Sequence, residues 1–255
     1  MRNDFHWGGT DHYAQFCEID IEEASNELED KLEVFDLLTS LDSFQSICNA
    51  GFFTDEPYST EQNFITLTSW QYKLDKRWVL SRRIIDAGKY ALFNLIHGYD
   101  TGKGPLLVVR MVQHAVSNDK QFDGFRQHGF GLVAKVKVPF ELSGDPSMPL
   151  GRESIIRIEF KTALSDVDID KWFSALRAWE RIMFRQGFDD YPKAQLIFDN
   201  RIQLGLSELY MLSPNMIEYS CYGIEPSQQA LTALLRFLSL QSYERDTIHS
   251  VELQP

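Results

Sequence analysis

Strict alternation of apolar and polar positions predicts several β-strands along this chain. In residues 64–72, aromatic and threonine side chains stand at every second position: Phe64, Thr66, Thr68, Trp70 and Tyr72. Residues 132–140 and 156–160 alternate apolar residues with lysine, arginine or glutamate. This period of two places one set of side chains on a buried face. Further strands are predicted at 195–204, 206–212, 216–224 and 247–253, the last at a sheet edge. Residues 106–111 are apolar on both faces apart from Arg110, as in a central strand.

A period near 3.6 predicts helices between these groups of strands. Apolar stripes run through residues 22–38, 78–96, 165–187 and 226–238. Ser165 followed by Asp168 predicts an N-cap, and Pro226 stands where the first turn of a helix tolerates proline. Hairpin-linked strands with helices between them predict an α+β fold with a mainly antiparallel sheet and its helices on one face.

The opposite face of that sheet is predicted to be mildly basic, with the acidic N-terminal segment as its cover. We place six residues there: Arg110, His114, Lys135, Lys137, Arg157 and Glu159. Two predicted helices end in Gly98-Tyr99-Asp100 and Gly187-Phe188-Asp189, which suggests a duplicated strand–helix–strand–strand unit over residues 61–142 and 151–255. The competing interpretation is that glycine–aromatic–aspartate is ordinary chemistry at a helix end.

Charge divides the chain more sharply than hydropathy does. The formal net charge is −12, and residues 1–60 carry all of it, with fourteen Asp and Glu against two basic residues. The remaining 195 residues are balanced. We therefore predict an acidic helical segment over residues 1–60 and an α+β domain over residues 61–255.

Two interpretations of the acidic segment compete. It is either a solvated helix that favours solubility or a surface that meets something basic, in this chain or in a protein partner. The partner-binding candidates are Glu18, Asp20, Glu22, Glu23, Glu27, Glu29, Asp30 and Glu33. Direct binding of nucleic acid is not expected, because the basic cluster at residues 73–89 is short.

Familiar catalytic motifs are missing from the sequence, so it favours a non-catalytic binding protein of the inhibitor or immunity-protein kind. A nucleophile elbow, an H-E-x-x-H motif and a C-x-x-C motif are all absent. The second hypothesis is an enzyme or small-molecule binder whose site the fold assembles. Its candidate catalytic residues are His97, Asp100, Arg110 and His114. The third hypothesis is a structural subunit of a homo-oligomer.

Cysteine usage and the N-terminus bear on compartment and cofactors. Three widely spaced cysteines and an N-terminus without an apolar signal core predict a cytoplasmic protein. Membrane association is not expected, because no apolar run approaches the roughly 20 residues of a membrane span. His6 and His12 lack a metal-binding spacing, so neither a metal nor an organic cofactor is predicted.

Overall fold

The computed structural model describes most of the chain in separate ranges. These are residues 16–23, 28–54, 63–69, 74–81, 107–112, 138–146, 150, 153–185, 187–188, 207–222 and 226–254, with helical residues 88, 91, 92, 94 and 95. The elements in chain order are β1 (Phe16–Glu23), α1 (Leu28–Ala50), β2 (Asn63–Ser69), β3 (Leu74–Leu80), β4 (Leu107–Val112), β5 (Glu141–Ser143), β6 (Glu153–Phe160), α2 (Asp166–Phe184), β7 (Glu208–Ser213), β8 (Met216–Tyr222), α3 (Gln228–Arg245) and β9 (Ile248–Gln254). The protein is of the α+β class, as the pattern of elements predicts.

A four-stranded sheet has the order β3-β2-β1-β4. Strand β1 is parallel to β2 and antiparallel to β4, and β2 is antiparallel to β3. The prediction of a helix over residues 22–38 is therefore wrong at its start, since residues 16–23 form a strand and the helix runs from 28 to 50. Ile19 and Ile21 alternate with Glu18 and Asp20, and this period of two matches a sheet rather than a helix.

A five-stranded sheet has the order β5-β9-β6-β8-β7. The six elements β6-α2-β7-β8-α3-β9, with the strand order β9-β6-β8-β7, have the connectivity of a ferredoxin-like fold. Short β5 adds to β9 in parallel. The last strand therefore lies inside the sheet, between β5 and β6, and the prediction of an edge strand at residues 247–253 is wrong in position.

Helices α2 and α3 cover one face of this sheet. Side chains of β6 are buried at every second position, including Ile156, Ile158 and Phe160. The ring of Trp179 on α2 meets Tyr219 on β8 edge-on, with ring centroids 5.7 Å apart. The predicted N-cap is confirmed, because the Ser165 side chain accepts a hydrogen bond from the Asp168 amide. Because α2 and α3 bury one face of the sheet, the residues at the other positions of β6 lie on the opposite face.

One continuous core joins the two halves of the chain. Phe52, just after α1, stacks on Phe237 of α3 with ring centroids 4.4 Å apart. Arg181 of α2 donates a hydrogen bond to the Ser43 hydroxyl of α1 at 3.2 Å. These contacts pack the helices of both halves against each other. Strand pairing also joins β1 to β2 across the predicted boundary at residue 60, and the division there stays a prediction.

Helix α1 packs along strand β3. The end of this strand overlaps the helix that the sequence predicts over residues 78–96. That prediction is wrong at its start, since residues 74–80 form a strand. The Trp78 indole nitrogen donates to Asp42 at 2.7 Å, and the side-chain amides of Gln45 and Asn49 both donate to the Val79 carbonyl. These α1 side chains satisfy backbone groups on β3, which ends the strand order among the described residues.

Other predicted elements differ in position or lie outside the described residues. Strand β4 ends the described strand order instead of standing at its centre. Residues 138–140 are not a strand, and β5 begins at Glu141. The predicted strand at 195–204 falls outside the described ranges. Both halves contain the series strand, helix, two strands, helical residues and strand, but their strand orders differ, so the duplication stays a prediction.

Candidate functional site

The face of the five-stranded sheet opposite α2 and α3 carries a concentration of carboxylates. Pairing places six glutamates there around a single arginine, and we call this surface the acidic sheet face. Its charged members are Glu141, Glu153, Arg157, Glu159, Glu208, Glu218 and Glu252. The predicted mildly basic charge of this face is therefore wrong, although Arg157 and Glu159 do lie on the predicted side of the sheet. Arg110 belongs to the other sheet, and His114, Lys135 and Lys137 lie outside the described residues.

A row of hydrogen-bonded side chains crosses the centre of the acidic sheet face. Tyr210, Glu218, Arg157 and Glu252 are successive partners on β7, β8, β6 and β9. Arg157 Nε donates to Glu218 Oε2 at 2.7 Å, and its Nη1 donates to Glu252 Oε2 at 3.3 Å. The Tyr210 hydroxyl donates to Glu218 Oε1. Strand register thus positions one guanidinium between two carboxylates.

The pKa values of this row are displaced so that the ion pairs remain charged. Burial alone would raise the pKa of Glu218, whose side chain is only 6 % exposed, but hydrogen bonds from Tyr210 and Arg157 outweigh burial and lower it. The hydrogen bond to Glu218 raises the pKa of Arg157 and also that of Tyr210. Tyr210 is therefore a neutral hydrogen-bond donor at neutral pH.

Two exposed hydrophobic side chains lie at the β7 side of the acidic sheet face. Tyr210 is 37 % exposed and Leu212 is 50 % exposed. The pairing of β7 with β8 is irregular between Met211 and Ser213, which places Leu212 at a bulge. Aromatic side chains such as that of Tyr210 are enriched in protein interfaces.

A second polar cluster is buried between α2 and β8. Glu180 accepts hydrogen bonds from the Tyr219 hydroxyl at 3.1 Å and from Arg177 Nη1 at 2.8 Å. Arg177 also donates to the carbonyl and hydroxyl of Ser207, which precedes β7. Burial raises the pKa of Tyr219 far above its usual value, so its hydroxyl stays protonated. This cluster ties α2 to the sheet.

The buried thiols are poor nucleophiles. Burial raises the pKa of Cys221 to about 12 and raises that of Cys48 well above its usual value. A thiol needs its thiolate form to attack. Cys221 is therefore a small buried residue of β8, as its mid-strand position in the sequence predicts.

The predicted partner-binding residues divide between β1 and α1. Glu18, Asp20 and Glu22 stand at alternate positions of β1 and share one face of the strand, while Glu23 stands on the other. The helix α1 contains the remaining described members, which are Glu29, Asp30 and Glu33. Glu27 lies outside the described residues. The structure thus groups three of the eight on one sheet face.

The predicted catalytic residues are only partly described. Arg110 lies on β4 directly opposite Asp20 of β1 in the antiparallel pair. His97, Asp100 and His114 fall outside the described residues. The grouping of these four residues stays a prediction.

Sequence reasoning missed the acidic sheet face because its members are scattered from residue 141 to residue 252. Each strand contributes one or two glutamates, and their numbers balance the basic residues elsewhere in the same region. Alternation within each strand marks which residues share a face, but pairing between strands is needed to add the strands together.

The described elements define a two-sheet α+β protein in which the face of the five-stranded sheet opposite α2 and α3 is acidic. Comparisons with protein-family models, curated proteins and solved structures find no match to this chain. Within the described ranges, no helix combines the length and apolar character needed to cross a membrane. A fold of this class hosts many functions, and function resides in the side chains of a site.

Proposed function

We propose that this chain is a non-catalytic cytoplasmic protein that binds a basic surface of a protein partner, in the manner of an inhibitor or an immunity protein. Its own acidic strand β1 is the contacting element. The buried free thiols Cys48 and Cys221 support a reducing compartment.

The observation that carries this proposal is the position of three carboxylates on an interior strand. Glu18, Asp20 and Glu22 follow one another at alternate positions of β1, about 6.6 Å apart along the strand. β1 has β2 on one side and β4 on the other. Pairing on both sides of β1 fixes the spacing of these three residues along the strand.

Strand register shows that Glu18, Asp20 and Glu22 do not share the sheet face that α1 covers. Trp78, which hydrogen-bonds α1, pairs with Ile65, and Ile65 pairs with Cys17. Cys17 and Glu18 are neighbours on β1 and therefore stand on opposite faces. By their positions on the strand, Glu18, Asp20 and Glu22 accordingly belong to the sheet face away from α1.

Charge complementarity would act mainly on the rate of association. A negative surface steers a basic partner during diffusion, and salt screens this attraction over about 10 Å at 0.1 M. The binding partner is therefore expected to associate rapidly at low salt and to dissociate from an affinity column as salt rises.

A tagged pull-down from native lysate at low salt, read by mass spectrometry, tests this proposal. The bait is compared with Glu18→Gln/Glu22→Gln and with Asp166→Asn/Asp170→Asn, which neutralises two exposed carboxylates of α2. We expect a stoichiometric basic protein with wild type and with the α2 variant, and its loss with the β1 variant. Equal retention by both variants would remove β1 from the binding surface.

A further inference from the structure

We propose that the acidic sheet face is a second docking surface, separate from β1, and that it binds an arginine-rich polypeptide segment. Its residues lie on β5 to β9, whereas the β1 carboxylates belong to the other sheet. This surface is therefore a separate site, and its test does not depend on whether β1 binds a partner.

The charge of the face selects a cationic ligand. Arg157, the one basic residue among its charged members, is held between Glu218 and Glu252. The other four glutamates surround this row and are exposed or half-exposed: Glu141, Glu153, Glu159 and Glu208. Several cationic side chains would be needed to balance them, and a polyanion such as nucleic acid would be repelled.

The spacing of the carboxylates selects a polymer over a metal ion. Glu153 and Glu159 are six residues apart on β6, which is about 20 Å along a strand. Oxygen ligands of Ca²⁺ lie only about 2.3–2.6 Å from the ion. Five strands set about 4.8 Å apart span about 19 Å, enough for an extended peptide with cationic groups at intervals.

The exposed hydrophobic residues select arginine and supply an apolar contact. The phenol ring of Tyr210 is held by its hydrogen bond to Glu218, and Glu208 stands two residues before it on the same face. A planar guanidinium stacks on an aromatic ring while it pairs with a carboxylate, which lysine does less well. Leu212, 50 % exposed, continues this contact along β7.

The central row makes the surface ready to bind without rearrangement. Tyr210, Glu218, Arg157 and Glu252 are held across four strands by hydrogen bonds among themselves. A surface already ordered in the unbound protein loses less conformational entropy on binding. The row therefore acts as a rigid centre around which the outer glutamates receive the partner's charges.

Fluorescence anisotropy with the full chain and a labelled nona-arginine peptide at low ionic strength tests this proposal. The test variant is Glu153→Gln/Glu159→Gln/Glu208→Gln, and the control is Asp166→Asn/Asp170→Asn on α2. Three exposed ion pairs together correspond to roughly a three- to hundredfold change in affinity. We expect the test variant to bind at least about threefold more weakly, and the control to bind within twofold of wild type.

One further variant keeps the outcome decisive. Leu212→Asn changes no charge, and we expect it to weaken binding of a peptide of eight arginines and one tryptophan more than it weakens binding of nona-arginine. Equal weakening by the test variant and the α2 control would show attraction to net charge alone and would overturn the proposal. Circular dichroism establishes that each variant is folded.

Discussion

Replacing Arg157 by methionine tests the electrostatic logic of the central row. The substitution keeps the aliphatic part of the side chain but removes the guanidinium that donates to Glu218 and Glu252. Glu218 then remains almost fully buried, with its side chain 6 % exposed and Tyr210 as its main donor. We expect Arg157→Met to destabilise the protein at neutral pH.

The magnitude follows from burial and exposure of the partners. Removing one partner of a buried ion pair costs about 3–5 kcal/mol. Arg157 is 30 % exposed and Glu218 retains Tyr210, so water and the phenol recover part of this cost. Glu252 is 41 % exposed, and its pair contributes about 0.5 kcal/mol at most. We therefore expect Arg157→Met to lower the free energy of unfolding by about 2 kcal/mol.

The loss should depend on pH in a definite direction. The pKa of Glu218 in the folded protein is below its usual value of 4.5, so its contribution to stability is present above that pH and is lost as pH falls through the folded pKa. Without Arg157, burial is opposed only by the remaining hydrogen bonds, and the pKa of Glu218 rises. The deficit of Arg157→Met should therefore be full at pH 7 and shrink below about pH 4.5.

Urea unfolding at pH 7 and pH 4 measures this, with Lys161→Met as the matched control. Lys161 pairs with Asp246 at 2.6 Å, but both side chains are largely exposed, so its loss should cost below about 0.5 kcal/mol. A double-mutant cycle with Glu218→Gln should give a coupling energy of about 1–2 kcal/mol. A deficit no larger than that of the control, or one unchanged in the Glu218→Gln background, would refute the reasoning.

Three further predictions concern the core, a turn and the thiols. Phe237→Ala removes the ring stacked on Phe52 and should cost about 3–5 kcal/mol in urea unfolding; a loss below 1 kcal/mol would contradict this. Gly144→Ala should lower thermal stability although the residue is exposed, because its φ is +97° and an added Cβ would lie 2.4 Å from a backbone oxygen; an unchanged melting temperature would contradict it. Burial raises the pKa of Cys48 and Cys221, so iodoacetamide at pH 8 should modify neither in the folded protein and both in urea.

The elements that sequence analysis locates best are those whose burial follows one simple period. Ile156, Ile158 and Phe160 alternate with charged residues, and they form the buried side of β6. The N-cap is likewise predictable, because the Asp168 amide donates to the Ser165 hydroxyl only three residues away. Both depend on neighbours within a few residues, which is the range over which a pattern is informative.

The errors arise where a partner distant in sequence decides the structure. The acidic residues of β1 belong to a segment that the sequence predicts as helical. Pairing with β2 on one side and β4 on the other makes this part of it a strand. Trp78 begins the predicted helix over residues 78–96, yet it belongs to β3, where it pairs with Ile65 and donates a hydrogen bond to Asp42 of α1. The acidic sheet face needs the pairing of five strands, so single-strand patterns could identify its members but not their assembly.

The hydrogen bonds from α1 to β3 also limit how copies of this protein can associate. An open sheet edge offers backbone donors and acceptors to a strand from another molecule. Here the amides of Gln45 and Asn49 already occupy the Val79 carbonyl, and Asn49 also accepts from the Ser81 backbone amide. A strand arriving beside Val79 and Ser81 would have to displace these side chains of α1. Addition of a strand from another copy is therefore disfavoured at this end of β3.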